Sequence, residues 1–138
     1  MTESAAVPIL LSVLLLGAYF TLQYPIADRF RTEKPFALAL RDAAAGLPPG
    51  RVAFVWHVPS LFPFYMEQAE PIVVLRDEAS VRAFRSEGPG ILVASPRTLA
   101  RLDRESSEPF ARPPDLREAH NPWDPPDERY GAWVLSTP

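Results

Sequence analysis

Apolar residues along this chain first form one unbroken run and then a series of short periodic patches. From Ala5 to Tyr24 there are 20 consecutive residues without a charge, centred on Ile9-Leu10-Leu11-Ser12-Val13-Leu14-Leu15-Leu16. At 1.5 Å per residue such a run matches a hydrocarbon layer of roughly 30 Å, and it predicts a transmembrane helix over 5–25. Pro8 would lie in its first turn, where a missing N–H does no harm, and Tyr19, Phe20 and Tyr24 stand where an aromatic belt would sit. A cleaved signal peptide would carry a basic leader, whereas Met1-Thr2-Glu3-Ser4 has none, so the reading is an uncleaved anchor. Gly17 and Thr21 form a small-xxx-small pair that would pack against a second helix.

Beyond this run the pattern turns periodic. Phe36, Leu40, Ala43 and Leu47 follow helical spacing, with Pro35 in the first turn and Gly46 at the C-terminal end. Arg51-Val52-Ala53-Phe54-Val55-Trp56, Pro71-Ile72-Val73-Val74-Leu75 and Ile91-Leu92-Val93-Ala94 read as buried strands. Each is followed by a helical patch: an aromatic turn over 60–66, a helix capped by Asp77, and one opened by Ser95-Pro96. Strands that alternate with helices predict βαβ units. Tyr130-Gly131-Ala132-Trp133-Val134-Leu135 adds a last strand at the edge. The expected fold is therefore α/β: one N-terminal transmembrane helix, then a small, mostly parallel, three- to four-stranded sheet with helices on both faces. In segments this gives an N-terminal tail over 1–4, the membrane helix over 5–25, the α/β domain over 26–104, a Pro-rich loop over 105–129, and the final strand and tail over 130–138.

Composition changes this picture in three places. Seventeen prolines in 138 residues exceed average usage of about 5%, and six of them stand in the stretch from Glu105 to Arg129, which therefore reads as extended loop. Trp123 within it is a candidate docking anchor or, more plainly, a pin to its own domain. With 14 Lys and Arg against 17 Asp and Glu, and no basic run, the footprint of a nucleic-acid binder is missing. The absence of cysteine excludes disulfides and thiolate chemistry.

Candidate chemistry is sparse. His57 follows the first strand, and in a parallel sheet ligands bind at strand C-termini. Trp56 and His57, with Ser60, Phe64 and Tyr65, would then line a pocket for a sugar or lipid head group; the plainer alternatives are a hydrogen-bonded structural histidine and aromatic packing. His120 lies near Asp115, Glu118 and Asp124 without any metal-ligand spacing, so neither metal nor cofactor is expected. Ser60 with His57 makes no catalytic triad, since the Gly-x-Ser-x-Gly elbow is lacking, and Gly88-Pro89-Gly90 precedes a strand and so is no phosphate cradle.

One resemblance remains. The succession of apolar helix, Tyr24-Pro25-Ile26-Ala27-Asp28-Arg29-Phe30, alanine-rich helix, strand and Pro59-Ser60-Leu61-Phe62-Pro63-Phe64-Tyr65 resembles the C-terminal end of membrane glycosyltransferases that use polyprenyl-phosphate sugars, the aminoarabinose transferase and protein mannosyltransferase type. It runs from about Leu14 to Leu102, plus the last strand, and its most specific part is Ser60 to Tyr65. The Pro-rich stretch after Leu102 departs from it. In that family catalysis rests on acidic residues of a multi-helix body that this chain does not contain. The resemblance thus implies a non-catalytic, single-pass accessory protein in a bacterial inner membrane, whose partners are the bilayer, a membrane protein or complex, and a lipid-linked sugar. The family's domain lies outside the cytoplasm, which implies a periplasmic C-terminal domain, although Arg29, Arg31 and Lys34 after the helix read as cytoplasmic by the positive-inside rule. The alternative expectation is a structural subunit of a large membrane complex.

Overall fold

Val52–Val55 (β1) and Gly90–Ala94 (β3) are completely buried, as continuous apolar runs must be when helices cover both faces of a sheet. A computed structural model describes residues 6–23, 32–59, 61–67, 72–103, 107–122 and 125–135. The chain divides into two compact units, Met1–Arg31 and Thr32–Pro138.

In the first unit, Ala6–Ala18 (α1) is an α-helix of 13 residues that passes into a five-residue π segment, Tyr19–Gln23. At 1.5 Å per residue the α-helix is about 20 Å long, against roughly 30 Å of hydrocarbon. Among the described residues no helix is long and apolar enough to cross a membrane. This overturns the predicted transmembrane helix, and with it the single-pass, inner-membrane and periplasmic placement. A charge-free run measures hydropathy; it does not report where α-geometry ends. The Thr21 hydroxyl donates to the Gly17 carbonyl at 2.7 Å, so the polar atom of the predicted packing pair is used within its own helix.

The second unit is a five-stranded sheet in the order β2-β1-β3-β5-β4, with β2 at Val73–Leu75, β4 at Leu116–Arg117 and β5 at Gly131–Leu135. β1 pairs in parallel with β2 and β3; β5 runs antiparallel to both β3 and β4. The fold is mixed α/β, but the sheet has five strands where three to four were predicted, and two of its four ladders are antiparallel where a mostly parallel sheet was predicted, because the chain returns from the Pro-rich stretch to pair β5 against β3 and β4. The extra strand, β4, lies inside the stretch read as loop. It is two residues long and follows Pro113-Pro114, so no local pattern announces it; β5 creates it by pairing Leu116 with Ala132 and Arg117 with Gly131.

Successive residues of a strand face opposite sides, and the core divides accordingly. On one side Val52, Phe54, Ile91, Val93 and Ala132 pack under Glu33–Ala43 (α2) and Phe62–Met66 (α3) through Phe36, Leu40, Phe62 and Met66. On the other, Ala53, Val55, Leu92, Ala94 and Trp133 pack under Glu78–Ser86 (α4) through Val81 and Phe84. Asp77 caps α4 with a full capping box, as its position before the helix predicts. Gly46 does not cap α2, which ends at Ala43; the glycine stands three residues on, at φ +93°.

β4 is tied to β5 by more than its ladder. Both guanidinium Nη atoms of Arg112 donate to the Asp115 carboxylate, at 2.8 and 2.9 Å, and the Val134 amide donates to the same group at 2.7 Å. The Arg112 hydrogen bonds, followed by that of Val134, hold the Asp115 carboxyl below its ordinary value of 3.8. A depressed carboxyl stabilises the fold above its unfolded-state pKa, and that contribution is lost as pH falls through the folded-state value. Acid unfolding profiles of the wild type and Asp115→Asn are therefore expected to converge as pH falls below about 4. Parallel profiles across that window would remove the carboxylate from the acid response.

Candidate functional site

The chain leaves β1 toward α3 on one face of the sheet and leaves β3 toward Pro96–Leu99 (α5), which packs on the other through Leu99. Two adjacent parallel strands whose loops diverge in this way open a crevice at their carboxyl ends, the place where open α/β sheets bind ligands. A cleft of about 530 Å³ lies there. Trp56, His57 and Pro59 come from the exit of β1; Ser95, Arg97, Thr98 and Arg101 come from the exit of β3. Glu33 at the start of α2 and Glu118, Glu128, Arg129 and Tyr130 around the β4–β5 connection complete the lining.

Trp56 has an unusual backbone. Its amide still extends the sheet by donating to the Leu75 carbonyl at 2.8 Å, but its φ is +69°, and the next amide, of His57, donates back to the Val55 carbonyl at 3.0 Å. This is a γ-turn of the strained, positive-φ kind. The Trp56 ring packs against the second core, while its Nε1–H is buried and has no acceptor among the described residues. Strain and an unmatched donor thus coincide at one residue of the cleft wall.

The serine and threonine hydroxyls of the cleft serve the backbone. Ser95 and Thr98 form the capping box of α5: Thr98 Oγ1 accepts from the Ser95 amide at 2.9 Å and donates to the Ser95 carbonyl at 2.8 Å, and Ser95 Oγ accepts from the Thr98 amide at 3.4 Å. The carboxylates are engaged as well. Glu118, almost fully buried, accepts from the Thr32 hydroxyl at 2.7 Å and from the Tyr130 amide at 3.0 Å, while Glu128 pairs with Arg97.

Tyr130 leans on Phe54 and Phe62, with ring centroids 6.1 and 5.9 Å away. Burial and, after it, the negative charges of Glu118, Glu33 and Glu128 push its hydroxyl up to about 12. A raised phenol keeps the fold's advantage intact below its unfolded value of 10.0 and loses it as pH rises toward 12. A tyrosinate absorbance titration is expected to show a last step near 12 that disappears in Tyr130→Phe. Identical curves for the two proteins would contradict this burial.

Of the residues singled out in the sequence, Trp56 and His57 lie in the cleft. Ser60 and Trp123 lie outside the described residues. Phe64 is 76% exposed and stacks edge-on with Tyr65, which packs against the first core; neither lines the cleft. Arg97, Arg101, Glu118, Arg129 and Tyr130 gave no motif, since they meet only through the sheet; the one readable signal was the position of Ser95-Pro96-Arg97 after a strand. Among the described residues no group of His, Asp and Glu could hold a metal ion.

No family model matches the chain, and no curated protein or solved structure was found similar to it. The functional reading therefore starts from the cleft itself.

Proposed function

We propose that the chain is a non-catalytic accessory protein that acts by binding, with the β1/β3 cleft as its recognition surface. The observation that carries this reading is the state of the Ser95 and Thr98 hydroxyls, which line the cleft with His57. Ser95 and Thr98 are locked into a helix cap, so the cleft offers binding groups in place of a nucleophile–base pair. The resemblance to the C-terminal domain of polyprenyl-phosphate-sugar glycosyltransferases supplies the partner class, a sugar-transferring enzyme or its lipid-linked sugar. Affinity capture of the tagged full chain from its own cells in mild detergent, followed by mass spectrometry, tests this. The wild type is expected to recover such a partner and the exposed-site variant Arg101→Glu to lose it; recovery that is the same with both proteins counts against the cleft.

A second reading, a structural subunit of a multi-protein assembly, is favoured by α1, which leaves Leu10, Leu11, Leu14 and Leu15 more than half exposed. A stoichiometric assembly without a sugar-transferring member would decide for it.

A further inference from the structure

The cleft at the β1/β3 crossover has hydrogen-bond donors to spare and, among the described residues, no carboxylate to match them. Glu128 is paired with Arg97, both oxygens of Glu118 accept hydrogen bonds, and Glu33 is engaged too. Arg101 and Arg129, which line the same cleft, make no ion pair or side-chain hydrogen bond with another described residue. Guanidinium groups recognise phosphate and carboxylate oxygens through paired N–H donors, and do so best beside apolar walls that exclude water.

Trp56 gives an independent indication. A bulky residue at φ +69° is strained and persists only where its surroundings hold it; such strain gathers at ligand sites. Here it falls on the residue that follows β1, at the β1/β3 crossover, with its indole N–H unmatched among the described residues. Together with Tyr130 it makes the aromatic part of the lining, in a volume of about 530 Å³ that suits a small molecule.

We infer that the cleft binds a small ring-bearing organic anion, whose phosphate or carboxylate is taken by Arg101 and Arg129 while its ring lies against Trp56 and Tyr130. This rests on the proposal that the cleft is the recognition surface, and it names the ligand chemistry.

The test is a titration of the full chain followed by NMR, using the indole N–H signal of Trp56, assigned by its absence in Trp56→Phe. Phenyl phosphate, benzoate and neutral phenol are added in turn. A saturable shift is expected with at least one anion and not with phenol, and the tighter of the two anions tells phosphate from carboxylate recognition. Arg101→Gln and Arg129→Gln are each expected to weaken that binding about tenfold. Absence of a saturable shift with both anions, an equal shift with phenol, or unchanged affinity in both variants overturns the inference. The phenol comparison uses wild-type protein alone, so it decides even if a variant fails to fold. If the titration fails while Arg101→Glu still abolishes partner capture, the anion chemistry is wrong and the accessory reading stands. If capture fails and the titration succeeds, the reverse holds.

Discussion

Arg51→Met is expected to lower unfolding stability by about 3 kcal/mol, the largest effect of any single charged residue in the domain. Arg51 is 9% exposed and stands immediately before β1. Its Nε donates to the Pro89 carbonyl at 2.8 Å, one Nη donates to Glu87 at 2.9 Å, and the other donates to the Phe84 and Gly88 carbonyls at 3.0 and 2.5 Å. The guanidinium also lies over the Phe84 ring, 4.1 Å from its centroid. One side chain thus closes the C-terminal end of α4 and fixes the turn into β3, whose Ile91 amide donates to the Arg51 carbonyl at 2.8 Å. Methionine keeps the apolar stem but leaves these carbonyls without a donor, and bonds from a charged group contribute more than neutral ones. Gly90 reports how closely the parts fit: a Cβ there would come within 2.9 Å of the Arg51 carbonyl oxygen and 3.1 Å of the Phe84 ring. Arg51→Lys is expected to recover less than half of the loss, since an ammonium cannot serve separated carbonyls as a planar fork does. Urea unfolding of the three proteins checks this. A loss under about 1 kcal/mol for Arg51→Met would mean that water replaces the guanidinium at little cost.

Phe54→Ala is expected to cost about 4 kcal/mol, in the range for truncating a fully buried phenylalanine. Phe54 has no exposed surface and sits in the middle of β1, with the Phe62 ring edge-on at 5.2 Å and Tyr130 beyond it. The substitution empties the centre of one core, where α3 and the sheet meet, and removes two aromatic pairs worth about 0.5–1.5 kcal/mol each. Since domains of this size are stable by only about 5–15 kcal/mol, a large share of the total is at stake. The effect reaches the cleft as well, because Tyr130 forms its wall and rests on Phe54. Phe54→Leu, which refills most of the volume, is expected to restore over half of the stability. Thermal and urea unfolding read the outcome, and a loss below 2 kcal/mol for the alanine variant would show that the core collapses around the gap.

The cleft was only partly legible beforehand. Trp56 and His57 could be placed because the end of an apolar strand is visible in the sequence, and in a parallel sheet that end faces the ligand side. Their partners could not. Glu118 and Tyr130 lie 12 residues apart and are joined by a hydrogen bond that exists only because β4 and β5 pair, while Thr32 reaches Glu118 from 86 positions away. Phe64 and Tyr65 misled in the opposite sense. An aromatic cluster beside a strand end looks like a pocket, yet the short helix α3 turns Phe64 outward and Tyr65 toward the core.

What the amino-acid sequence determined alone is what depends on near neighbours. β-branched and aromatic runs made β1, β2, β3 and β5; helical spacing placed Phe36 and Leu40 inward; Asp77 and Ser95 capped the helices that follow them, because a cap acts on amides within three residues. What tertiary structure decided is everything that needs two distant segments at once. β4 is a strand only against β5, Arg51 matters only where α4 ends over it, and the strain on Trp56 is tolerated only because Leu75 and the second core hold it. The long apolar run at the N-terminus lies between these cases. Its hydropathy is a sum over residues and was readable, but the length of its α-helix depends on the pattern of backbone hydrogen bonding, which changes from α to π after Ala18.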